Sequence, residues 1–164
     1  MISKKMHEAL NSQINAEFYS SYLYLSMAAY FSSNNFNGFA TWMKLQSREE
    51  YGHAMKLYTY LIELGSKVEL LQIEKPQTEW NSPQAVFEAS LKHEQYVTGR
   101  INDLMNLAIE NKDHATSIFL QWFVTEQVEE EASVAGIVEK FKMIGDNKSA
   151  LYMLDRELGA RAAN

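Results

Sequence analysis

Apolar residues recur along this chain at the three- and four-residue spacing of a helix face, in stretches of nearly thirty residues. Polar clusters, glycine and proline punctuate the pattern. It predicts helices at about 3–31, 37–64, 83–111, 114–144 and 147–158. The first ends in Ser32-Ser33-Asn34-Asn35, and Gly65 is a stop for the second. Ser82-Pro83 reads as an N-cap followed by proline at the first helical position. Asp113 can cap the fourth helix, which runs to Ile144 before Gly145. The fifth carries Leu151, Leu154 and Leu158 on one side. Four long helices of matched length, about 40 Å each, can lie side by side. The first and third connections are short and make their helices antiparallel neighbours. The stretch 65–82 is long enough to run the length of a bundle at about 3.3 Å per residue. The expected fold is all-α: an antiparallel four-helix bundle with one long crossover and a short C-terminal fifth helix, in a single domain spanning 1–164.

Heptad rows fix which residues face inward, because a seven-residue step returns to nearly the same face. Leu10, Glu17, Tyr24 and Phe31 form one row on the first helix. Met43, Glu50, Leu57 and Leu64 form a row on the second, beside Phe39, Gln46, His53 and Tyr60. Phe87, Glu94, Ile101 and Ala108 align on the third; Phe123, Glu130, Ile137 and Ile144 align on the fourth, beside Gln127. Glu17, Glu50, His53, Glu94 and Glu130 therefore interrupt apolar stripes. A lone glutamate on such a stripe usually snorkels to water, and a lone histidine is usually a hydrogen-bonded core residue. Here all four helices share the interruption, each in its middle half. Burying a carboxylate costs several kcal/mol unless something compensates, and a shared pair of metal ions would compensate all of them.

Composition narrows the metal. The 164 residues include no cysteine, which removes disulfides, thiolate zinc sites and iron–sulfur clusters. Ligands must be oxygen or imidazole nitrogen. Glu50-x-x-His53 projects both groups from one helix face, and carboxylates with one imidazole suit iron(II) or manganese(II). Two such ions would neutralise four ionised glutamates, with Glu50 the best bridge. The 46% apolar content argues against disorder, and the net charge of −6 argues against nucleic acid as a partner. Met1-Ile2-Ser3-Lys4-Lys5 is not followed by a signal-type apolar run, and no stretch approaches a membrane span. The expectation is a cytoplasmic protein with no membrane partner.

The chain resembles the non-haem bacterial ferritins over essentially its whole length. The resemblance is carried by Asn15-Ala16-Glu17-Phe18-Tyr19-Ser20-Ser21, Glu49-Glu50-Tyr51-Gly52-His53, Lys92-His93-Glu94-Gln95, and Phe119-Leu120-Gln121-Trp122-Phe123 leading into Glu126-Gln127-Val128-Glu129-Glu130-Glu131. It implies iron storage and a ferroxidase that oxidises iron(II) with dioxygen or peroxide, in a homo-oligomeric shell of 24 subunits. By position, Glu17, Glu50 and His53 would hold the first iron, and Glu50, Glu94 and Glu130 the second. Glu49, Glu126, Glu129 and Glu130 would match a third site. Gln127 would hydrogen-bond near the second iron. Tyr24 would hydrogen-bond a ligand, donate an electron, or serve as a buried core tyrosine. Ser133 stands where bacterioferritins complete a second Glu-x-x-His, and Tyr51 stands where they have a haem-binding methionine; the expectation is no haem. A redox-silent helical oligomer, a bacterioferritin-like protein and a bundle oxygenase are the competing readings.

Overall fold

The computed structural model describes residues 2–162. Among them lie five helices and no strand: α1 (Lys4–Ser33), α2 (Asn37–Glu63), α3 (Pro83–Glu110), α4 (His114–Ile144) and α5 (Lys148–Gly159). The ends follow local capping chemistry. Ser3, Ser82, Asp113 and Asn147 each accept a backbone N–H three residues on, at 3.0–3.1 Å, so Ser3 and Asn147 are caps rather than first helical residues. α1 runs two residues beyond Phe31 because the Asn34 side chain and backbone N–H close onto the Tyr30 carbonyl. Asn35, at φ 62°, then turns the chain in the left-handed region that asparagine tolerates.

The bundle is antiparallel along every edge. Contacts pair Ser21 with Ser47, Tyr24 with Ser90, Gln46 with Glu130, and Gln127 with Glu94, so α1 neighbours α2 and α3, and α4 neighbours α2 and α3. The crossover makes α2 and α3 run parallel across the diagonal. It lies extended along α1: carbonyls of Lys67, Leu71, Gln72 and Gln77 face His7, Asn15 and Ser26 in turn. The Glu69 N–H donates to Asn11 at 2.7 Å. Side chains of α1 thus satisfy a strap that has no regular structure of its own. No helix among the described residues is long and apolar enough to cross a membrane.

α5 docks on α2 through glycine. A Cβ on Gly38 would fall 1.7 Å from the Asp155 carbonyl oxygen, and one on Gly159 would fall 2.8 Å from the Gly38 Cα. The close approach lets the Asp155 side chain accept the Phe39 N–H at 2.9 Å. α2 has no side-chain N-cap of its own, so α5 supplies one. Gly→Ala in an open helix would stabilise by about 0.5–1 kcal/mol. Here Gly38→Ala is expected to destabilise instead, by about 1–3 kcal/mol, because backbone must move. Thermal unfolding measures the change, and hydrogen exchange should rise first in α5. An unchanged or higher midpoint would sink this account of the docking.

Candidate metal centre

Two apolar clusters fill the bundle. One contains Phe31, Phe39, Phe87 and Phe141; the other contains Leu10, Leu57, Ile101 and Leu120. Between them lies a polar layer made by the mid-points of four helices. Glu17, Glu50 and Glu94 each keep 1% of their surface exposed, His53 5% and Glu130 6%. Donor atoms within 4.8 Å of one another form the sets Glu17–Glu50–His53, Glu50–Glu94–Glu130 and His53–Glu126–Glu130. The first two sets match those expected from the sequence, with Glu50 common to both.

Neutral donors hold one side of each carboxylate. Gln13 Nε2 donates to Glu17 Oε1 at 2.8 Å. Gln46 Nε2 donates to Glu50 Oε1 at 3.0 Å and to Glu130 Oε2 at 2.6 Å. Gln127 Nε2 donates to Glu94 Oε2 at 3.1 Å, and the Tyr24 hydroxyl donates to Glu94 Oε1. Ser90 holds the same hydroxyl at 2.9 Å. Glu17 Oε2 and Glu50 Oε2 are left buried with no hydrogen-bond partner. They lie 4.0 and 3.3 Å from His53 Nδ1. Two orphaned carboxylate oxygens converging on an imidazole nitrogen suit a small hard cation, which would satisfy all three.

The electrostatics agree. Burial, reinforced by Glu50, pushes the Glu17 carboxyl up to about 8. Burial and the nearby Glu94 push Glu130 up to about 7. Glu50 rises well above the carboxylate range through burial, then through Glu94 and Glu130. Glu94 rises through burial, against hydrogen bonds from Tyr24 and Gln127. Burial also drives Tyr24 upward, so its phenol is a donor throughout the neutral range. Without a cation the layer holds protons; divalent ions would displace them.

The edge of the layer is less uniform. Glu126 Oε1 lies 3.9 Å from His53 Nε2, and its side chain is about one-quarter exposed. Glu129 is exposed and joins none of the donor sets. Glu49 also lies outside them and instead pairs with Arg161 at 2.7 Å. Ser133 is exposed. Tyr51 is exposed and rests against Phe18, 5.7 Å between ring centroids. Gln13, Ser90, Arg100 and Arg161 contribute to the network without having stood out in the sequence. Gln13 could have been found: it precedes Glu17 by four residues, as Gln46 precedes Glu50.

Residues 7–144 match the family model described as "Ferritin-like domain". The chain is 46% identical over 161 residues to the bacterial non-haem ferritin of Bacteroides fragilis strain 638R, covering 98% of this chain and 100% of that one. It is 43% identical to the bacterial non-haem ferritin of Campylobacter jejuni, covering 95% of this chain and 93% of that one. Among solved structures it superposes on an open-pore ferritin from the archaeon Archaeoglobus fulgidus with a TM-score of 0.98 and 54% identity, covering 99% of this chain and 100% of that one. The chain belongs to the ferritin family.

Proposed function

We propose that the chain takes up iron(II), oxidises it at the mid-bundle layer and stores the ferric product, as a cytoplasmic single-domain subunit of a homo-oligomeric shell. Iron storage follows from membership of the ferritin family. The observation that carries the oxidation step is the pair of buried donor sets sharing Glu50. Glu17, Glu50 and His53 are assigned to one iron, and Glu50, Glu94 and Glu130 to the other. A shared carboxylate keeps two metals close enough to act as a unit. Two iron(II) ions give up two electrons; dioxygen takes them with two protons to give hydrogen peroxide, or peroxide takes them with two protons to give water. Tyr24 and Gln127 orient Glu94 by hydrogen bonding. Glu126, half-buried beside His53, is the best-placed residue for a third iron, with Glu130 as partner; Glu129 and Glu49 would have to move to join them.

The shell of 24 subunits is the assembly implied by the resemblance to non-haem ferritins. Apolar side chains left exposed on α1 (Tyr22, Leu25), α2 (Tyr51, Ile62) and the crossover (Leu70, Leu71, Ile73) support burial against further copies. No haem, nucleic acid or membrane enters the proposal.

Metal-free protein given two iron(II) ions per subunit in air should develop ferric absorbance rapidly. Glu17→Ala is expected to slow that phase at least about tenfold, the effect of losing one charged ligand, while far-UV circular dichroism stays unchanged. Undiminished oxidation would remove Glu17 from the first site. No ferric absorbance from the parent protein would favour the redox-silent oligomer.

The raised carboxyls also set a pH dependence. A group whose folded pKa lies above its unfolded value favours the folded state fully below the unfolded pKa and loses that contribution as pH rises through the folded one. For Glu17 the window runs from about 4.5 to about 8. Metal-free protein should therefore lose stability as pH rises through this range, and Glu17→Gln should flatten the loss. Denaturant titrations at several pH values measure it; a metal-free stability that climbs between pH 5 and 8 would contradict the electrostatic reading.

A further inference from the structure

Two buried glutamines hold the metal-facing carboxylates in the same way. Gln13 donates to Glu17, and Gln46 donates to Glu50, each across one helical turn. On its other side each amide offers its oxygen to an arginine. Arg100 Nε donates to Gln13 Oε1 at 2.9 Å, and Arg161 Nη1 donates to Gln46 Oε1 at 3.1 Å. A guanidinium carries only donors, so it takes the amide oxygen and turns the NH₂ toward the carboxyl oxygens, which accept from it. The amide between them has one satisfied orientation. Reversing Gln46 would set oxygen against the Glu50 and Glu130 carboxylates, and NH₂ against the guanidinium.

Arg161 does more than Arg100. Its Nη2 also pairs with Glu49 Oε2 at 2.7 Å, its Nη1 reaches the Trp42 carbonyl at 3.4 Å, and its guanidinium lies 4.7 Å over the Trp42 ring. It stands just past the end of α5, so this one side chain ties the end of the described chain to α2. Glu49 adjoins Glu50, the carboxylate common to both donor sets. A fixed positive charge on Glu49 opposes any further cation there, by occupying an oxygen and by repulsion.

We infer that Arg161 is a positioning residue with two opposed effects, resting on the metal reading proposed above. Through Gln46 it presets Glu50 and Glu130 for the two central metals. Through Glu49 it competes with a third metal at the edge. Third-metal binding and docking of the Arg161 segment then weaken each other by the same factor, as linkage requires.

The test is anaerobic calorimetric titration of the full-length, metal-free protein with iron(II), repeated with redox-inert zinc(II). In Arg161→Leu the third class of binding should tighten by roughly tenfold, what one charge-assisted hydrogen bond can supply. The two central classes should weaken as Gln46 loses its orientation, by less than the roughly tenfold that loss of a group directly supporting a ligand costs. Arg161→Lys should fall between, since an ammonium keeps the charge but cannot span Gln46, Glu49 and the Trp42 ring together. In a Gln46→Leu background, removing Arg161 should still tighten the third class and leave the central pair unchanged. A merely structural role would move all classes in one direction, following the unfolding midpoint. If third-metal affinity is unchanged or weaker in Arg161→Leu, or in Arg161→Lys should the leucine variant not fold, the inference falls and the proposed function stands. If the parent protein binds neither metal, both fall.

Discussion

The fold turns on a single constraint: four carboxylates share one water-excluded layer at the centre of the bundle. Such a layer is incompatible with ionised side chains unless a cation joins it. It also interrupts the hydrophobic core, which is why the apolar residues form two clusters, one on either side. Long helices are what make this tolerable. Each carries buried apolar residues above and below its glutamate. Burial raises the Glu17 and Glu130 carboxyls for the same reason.

The choice of supporting groups follows from the same constraint. A lysine or arginine placed directly on Glu17 or Glu50 would orient the carboxylate but also neutralise it, and would compete with the metal. Amides and hydroxyls orient without neutralising. Gln13, Gln46, Gln127 and Tyr24 fill that role on the four glutamates. Positive charge is kept one group further out, where Arg100 and Arg161 fix the amides rather than the ligands. The exception is Glu49, which Arg161 engages directly.

The buried donor layer was legible in the sequence because the signal is one-dimensional. A glutamate on an apolar heptad row is visible without knowing what lies opposite, and four such defects at similar depth imply a common layer. The five-helix architecture was legible for the same reason, with cap residues locating helix ends to within two positions. The supporting arginines were not legible. Arg100 and Gln13 are 87 residues apart, and Arg161 and Gln46 are 115 apart. Nothing in a helical periodicity distinguishes an arginine that reaches a buried amide from one that faces water. The acidic run of α4 was ambiguous in a related way: Glu126 and Glu129 lie about 60° apart on the helix, and packing turns the first toward His53 and the second to solvent.

The end of the chain bears on the centre more than its distance in sequence suggests. α2 carries Glu50 and His53, yet it lacks a side-chain cap, and its first turn is completed by Asp155. Gly38 and Gly159 bring the two backbones close enough for that bond. Arg161 then grips the same helix further along, at Trp42, Gln46 and Glu49. From Gly38 to Glu49, α2 is therefore held by α5 and Arg161 as well as by α1 and α4. A shift of α2 by even part of a turn would separate Glu50 from Glu130 and from His53's partner Glu17, because each donor set tolerates little displacement. Glu50, the carboxyl common to both donor sets, is thus supported in part from outside the four helices that contribute the donor atoms.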